Sequence, residues 1–150
     1  MAALKAVLAR HRVIALDTSI WIYHFENHPE YLPVTTQVLT AVERGDLQAV
    51  ASELTILEII VRPLKLELYD AADDYEILLS GFPNLALIPV TRSILRNAAS
   101  LRASYGLRTP DAIIVATALA GNATLLVTND KALRKLKEIE VICLADLVQT

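Results

Sequence analysis

Residues 13–21 read Val-Ile-Ala-Leu-Asp-Thr-Ser-Ile-Trp, a short apolar run that stops at a carboxylate followed by two hydroxyls. An apolar run of this length with a polar boundary reads as a fully buried strand of a parallel sheet. Open α/β sheets bind ligands just beyond the carboxyl ends of their strands, which is where Asp17 is expected. A charge in that position is costly unless it is hydrogen-bonded, paired or metal-bound. The plainer role for Asp17 is to cap the helix that follows. Thr18 and Ser19 could do that alone, so the acid is read as functional.

The rest of the chain extends this frame. Residues 18–25 read as a short helix, residues 31–44 as a helix stopped by Gly45, and residues 47–51 as a second strand. Ser52 or Thr55 can cap the next helix, which Pro63 ends or kinks. A helix over 67–80, a strand over 85–90 and a helix over 92–105 with Gly106 as its stop come next. Thr109-Pro110 opens a helix over 111–120, with the hydroxyl as cap and proline at its first position. A strand over 124–128, a short basic helix over 130–137 and a strand over 141–144 complete the chain. Strands alternating with helices give a three-layer α/β/α fold with a central parallel sheet of about five strands. At 150 residues, a single domain over 1–150 is expected.

Cys143 is the only cysteine, which excludes a disulfide framework and a thiolate metal site. No apolar run approaches the roughly 18–20 residues of a membrane span. The basic start is broken by Lys5 and Arg10 and does not read as a signal peptide, so a cytoplasmic protein is expected. Net charge is −3, but residues 1–90 hold twelve acids and six bases, against five and eight in residues 91–150. The C-terminal part can therefore set a basic surface beside an acidic pocket.

Three further acids matter if they can reach Asp17. Asp130 follows the strand Leu-Leu-Val-Thr as Asp17 follows Ile-Ala-Leu, so two strand ends converge; a helix cap shared with Asn129 is the plainer role. Glu58 sits in a strongly apolar helix, where it either edges a cleft or pairs with Arg62 four residues on. Asp111 lies in a first helical turn, favoured there by the macrodipole, at the head of an almost wholly apolar helix. Four carboxylates together repel unless a cation compensates. None of the three histidines has zinc-ligand spacing, whereas an all-oxygen set suits Mg²⁺ or Mn²⁺. The chemistry that follows is phosphodiester hydrolysis by metal-activated water. Thr18, Ser19, Thr128 and Asn129 could orient waters or a substrate phosphate.

With Leu-Asp17-Thr-Ser-Ile-Trp-Ile-Tyr, Ser52-Glu-Leu-Thr-Ile-Leu-Glu58-Ile, Leu107-Arg-Thr-Pro-Asp111-Ala-Ile-Ile-Val-Ala-Thr-Ala-Leu and Leu-Val-Thr-Asn-Asp130 in this order, the chain resembles PIN-domain proteins. Among them it is most similar to the VapC-like toxins of toxin–antitoxin pairs. The likeness covers about Val13 to Leu144. It implies a metal-dependent endoribonuclease, a homodimer and inhibition by a cognate antitoxin. It also implies that Asp17, Glu58, Asp111 and Asp130 form the metal site, assisted by a hydroxyl matching Thr128 or Thr18 and Ser19. Members often carry an aromatic three residues after the last acid, where this chain has Leu133, a difference expected to affect packing only.

Trp21, Tyr23 and Phe25 read as core and dimer packing, with base stacking as the alternative. Lys131, Arg134, Lys135 and Lys137 form either a solvated face or, led by Lys131 beside the site, a contact to the RNA backbone. Residues 18–44 are expected to bear the dimer or antitoxin surface. A phospho-acceptor receiver would need paired acids early in the chain, and a haloacid-dehalogenase-like phosphatase an acid at position 19; neither pattern is present. A catalytically silent interaction module binding an antitoxin-like partner is the remaining alternative.

Overall fold

The computed structural model describes residues 2–148. Its elements, in chain order, are α1 (Ala2–Leu8), β1 (Val13–Leu16), α2 (Thr18–Phe25), α3 (Leu32–Glu43), β2 (Gln48–Ser52), α4 (Leu54–Lys65) and α5 (Tyr69–Ser80). They continue with β3 (Leu85–Ile88), α6 (Arg92–Tyr105), α7 (Thr109–Ala120), β4 (Leu125–Thr128), a 3₁₀ turn (Lys131–Lys135), β5 (Glu140–Cys143) and α8 (Leu144–Leu147). The five strands form one sheet in the order β3-β2-β1-β4-β5, and every neighbouring pair is parallel.

Strand side chains alternate between the two faces of a sheet, and here both faces are covered. Ile14 and Leu16 of β1, with Leu125 and Val127 of β4, pack under Trp21, Val38 and Val42 from α2 and α3. Ala15 and Leu126 face the other way, into Ala98 and Leu101 of α6 and the apolar length of α7. That explains why α7 is buried from Ala112 to Ala118 with no polar stripe. Gly106 ends α6 at φ 69°, the left-handed cap that glycine adopts without strain.

Several local expectations are corrected. The N-cap of α7 is Arg108, in extended conformation at φ −66° and ψ 153°, so Thr109 falls inside the helix and gives no side-chain cap bond. The basic helix over 130–137 is a 3₁₀ turn. Leu133 and Leu136, three residues apart, are both buried, and that spacing matches a three-residue turn. Glu53 is the N-cap of α4; Ser52 Oγ accepts from the Leu54 amide, and the helix runs two residues past Pro63. Trp21, by contrast, has the core packing expected of it, fully buried against Phe25 and Phe82. Leu133 is likewise fully buried.

The apolar residues of α2 and α3 mostly point inward. Most of the large exposed apolar side chains lie on α4 and α5 and between them, among them Leu57, Leu64, Leu66, Leu68, Ile77 and Leu78, with Leu95 on α6 besides. No helix among the described residues is long and apolar enough to cross a membrane.

Candidate metal centre

The strand order reverses at β1: β2 and β3 build outward on one side, and the chain returns to place β4 on the other. Loops leaving β1 and β4 therefore part in opposite directions and leave a crevice between the two carboxyl ends. The register aligns Leu16 with Val127, and the Asp17 amide donates to the Val127 carbonyl at 3.0 Å. Asp17 and Thr128 thus stand side by side at the mouth of that crevice.

Thr128 is fully buried and its hydroxyl serves both acids. Its Oγ1 donates to Asp17 Oδ2 at 2.6 Å and accepts from the Asp130 amide at 3.0 Å. Asp17 Oδ1 accepts from the Thr18 amide at 2.7 Å, so Asp17 also caps α2. Asp130 Oδ1 accepts from the Ala132 amide at 2.9 Å and caps the 3₁₀ turn. The plainer role proposed for each of these acids is real, and it does not compete with the other, since each carboxylate oxygen keeps a second lone pair.

Glu58 is brought in by α4. Thr18 Oγ1 donates to Glu58 Oε1 at 2.7 Å, and because its one proton is used there, the 3.1 Å contact with Thr55 Oγ1 must be donated by Thr55. Arg62 pairs with Glu26 at 3.2 Å, so the alternative in which Glu58 is neutralised along its own helix is set aside. Asp111, in the first turn of α7, accepts from Arg108 at 3.0 Å and 3.4 Å. Asn129 is fixed at both ends, donating to the Tyr23 hydroxyl at 3.1 Å and accepting from the Ala145 amide at 3.0 Å.

All four acids, with Thr18, Ser19 and Asn129, line one cleft of about 730 Å³. Thr128 lies beneath it, and Lys131 is exposed outside the lining residues. Burial, then the charges of Asp111 and Glu58, push the Asp17 carboxyl up to about 6, against the opposing pull of the Thr128 and Thr18 hydrogen bonds. A part-buried carboxylate among like charges is a site short of positive charge. Ser19 Oγ is also buried and has no hydrogen-bond partner. An all-oxygen donor set, an electrostatic deficit and an orphan hydroxyl at one place fit a hard divalent cation with its water or phosphate ligands. Among the described residues, no three acid side chains are already gathered tightly enough to hold an ion. Each is held by its own donor, and drawing them closer would need a cation to offset their repulsion.

Thr128→Val tests the shared hydroxyl. The variant keeps the shape but leaves Asp17 without a donor and the Asp130 amide without that acceptor. Mn²⁺ affinity by titration calorimetry is expected to fall about 10–100-fold, as for partners that orient a metal ligand.

Arg108, Tyr23, Leu107 and Lys135 also line the cleft. Lys135 belongs to the basic run already singled out. Arg108 lies within the Leu107–Asp111 motif, and its three-residue spacing to Asp111 is the sequence signal for their pairing.

The PIN domain family model matches residues 14–139. A search of curated proteins returns no match. Among solved structures, a toxin–antitoxin complex from Klebsiella pneumoniae has a chain 25% identical, with TM-score 0.66, covering 87% of this chain and 97% of that one. VapBC2 from Rickettsia felis, bound to a promoter DNA fragment, is 18% identical with TM-score 0.68 over 87% and 98% of the two chains. VapBC-1 from nontypeable Haemophilus influenzae is 21% identical with TM-score 0.64 over 89% and 98%. With the family match spanning both strand-end acids as well as Glu58 and Asp111, the chain belongs to the PIN domain family.

Proposed function

We propose that this protein is the toxin of a toxin–antitoxin pair, a Mg²⁺- or Mn²⁺-dependent endoribonuclease acting in the cytoplasm. The observation that carries the reading is the meeting of Asp17, Glu58, Asp111 and Asp130 in one cleft at the switch point of the sheet. The four acids would hold the ion, and its chemistry when bound is Lewis-acid stabilisation of charge on the phosphate oxygens. The chain's own residues do the rest. Thr18 and Thr128 fix the Asp17 carboxylate, and Thr18 fixes Glu58. Ser19 Oγ is available to a phosphate oxygen, Asn129 is held rigid, and the exposed Lys131, next to Asp130, would contact the RNA backbone outside the cleft. A carboxylate of the cleft takes the proton of the attacking water.

The cognate antitoxin and a homodimer are part of the same proposal. The exposed apolar side chains of α4 and α5 supply surface for one or both, since contiguous apolar exposure marks association sites.

The test is cleavage of total RNA by the purified protein in Mg²⁺, Mn²⁺ or EDTA. Discrete products that require the ion are expected. A folded, antitoxin-free protein that leaves every RNA intact overturns the nuclease reading in favour of the silent module.

A further inference from the structure

Arg108 stands out because its partner is one of the four acids. The guanidinium forks onto both oxygens of Asp111, at 3.0 Å and 3.4 Å, while its own side chain is 78% exposed against 15% for Asp111. It lies at the rim of the acid cleft, and beyond Asp111 it feels the charges of Asp130 and Glu58. The other basic residue lining the cleft, Lys135, is committed elsewhere, donating to the Tyr105 carbonyl at 2.9 Å. Arg134 is paired with Asp146. Arg108 is therefore the cationic side chain poised over the acids themselves.

Resting on the metal-nuclease reading above, we propose that Arg108 is a resident counter-ion that a divalent cation displaces from Asp111, and that the freed guanidinium then binds a phosphate oxygen of the substrate. Three features support this. The guanidinium end of the ion pair is solvent-exposed, which weakens the pair, so two positive charges centred on the acids outcompete it. Arg108 gives no side-chain cap to α7, so it can leave Asp111 without loosening the helix. A guanidinium suits the exchange because its planar fork fits carboxylate and phosphate alike.

The experiment compares wild type with Arg108→Gln and Arg108→Lys, first by Mn²⁺ titration calorimetry without RNA. Removing the competing charge in R108Q is expected to tighten Mn²⁺ binding about two- to five-fold, the range an exposed pair's strength corresponds to. R108K is expected to bind Mn²⁺ more nearly as wild type does. At saturating Mn²⁺, R108Q is then expected to raise KM for RNA by about ten-fold, as for a lost charged contact to phosphate. Unchanged or weaker Mn²⁺ binding in R108Q overturns the inference, as does an unchanged KM. Wild-type protein that binds Mn²⁺ and cleaves no RNA overturns the nuclease reading instead, and the calorimetry still decides whether Arg108 competes with the ion. Wild-type protein that binds no Mn²⁺ overturns both.

Discussion

Asp17→Asn is expected to lower RNA cleavage about 1,000-fold or more while leaving the protein folded. The substitution is nearly isosteric. The amide oxygen can still accept from the Thr18 amide and keep the cap on α2, and the Thr128 hydroxyl can turn to accept from the new NH₂ group. What disappears is a charge at the centre of the acid cleft, and with it several kcal/mol of stabilisation that a properly held cation contributes to the transition state. Single-turnover cleavage at saturating Mn²⁺, with thermal melting alongside, checks both halves. A cleavage rate equal to wild type would exclude Asp17 from the chemistry.

The same substitution is expected to make the metal-free protein more stable at neutral pH. Unfolded, Asp17 titrates near 3.8; folded, burial first and then its acidic neighbours bring it to about 6. Below 3.8 both states carry the proton, and the group has no effect on the balance. Between the two values the unfolded chain ionises first, so stability drops as pH rises, and above 6 the cost of the buried charge is fully present. The separation corresponds to about 3 kcal/mol. Urea unfolding in EDTA should therefore show wild type and D17N alike near pH 4, with D17N more stable by roughly that amount above pH 7. Saturating Mn²⁺ should narrow the gap by binding only the native wild-type site. A D17N protein no more stable than wild type at pH 8 would mean that the Asp17 carboxylate is better solvated than its burial indicates. A residue that costs stability until its ligand arrives is a common compromise at functional sites.

Much of this was legible in the residue order because the sheet is parallel and buried. Val13–Leu16 and Leu125–Thr128 are short unbroken apolar strands, and an acid at or just beyond each end is a signal that does not depend on helix boundaries. The switch point follows from strand order, which the alternation of elements implies but does not dictate. Glu58 was harder. Its spacing to Arg62 fits a simple ion pair, and only the fold reveals that Arg62 turns to Glu26 and that a threonine forty residues away holds Glu58. The double role of Thr128 and the grip of Arg108 on Asp111 depend on side-chain directions, which no periodicity encodes. Surface exposure is also hard to read from residue order. Many apolar residues of 18–44, such as Ile20, Trp21, Val38 and Val42, are core, whereas α4 and α5 leave leucines and an isoleucine uncovered.

The hydrogen bond from Thr128 to Asp17 spans 111 residues of chain. During synthesis the first acid leaves the ribosome long before the strand that orients it, an interval of roughly 5–20 s at ordinary elongation rates. Until β4 slots in beside β1, the centre of the sheet is missing and the cleft has one wall. A cleft that needs both β1 and β4 is therefore incomplete until most of the chain has been made, and timing is built into the strand order itself.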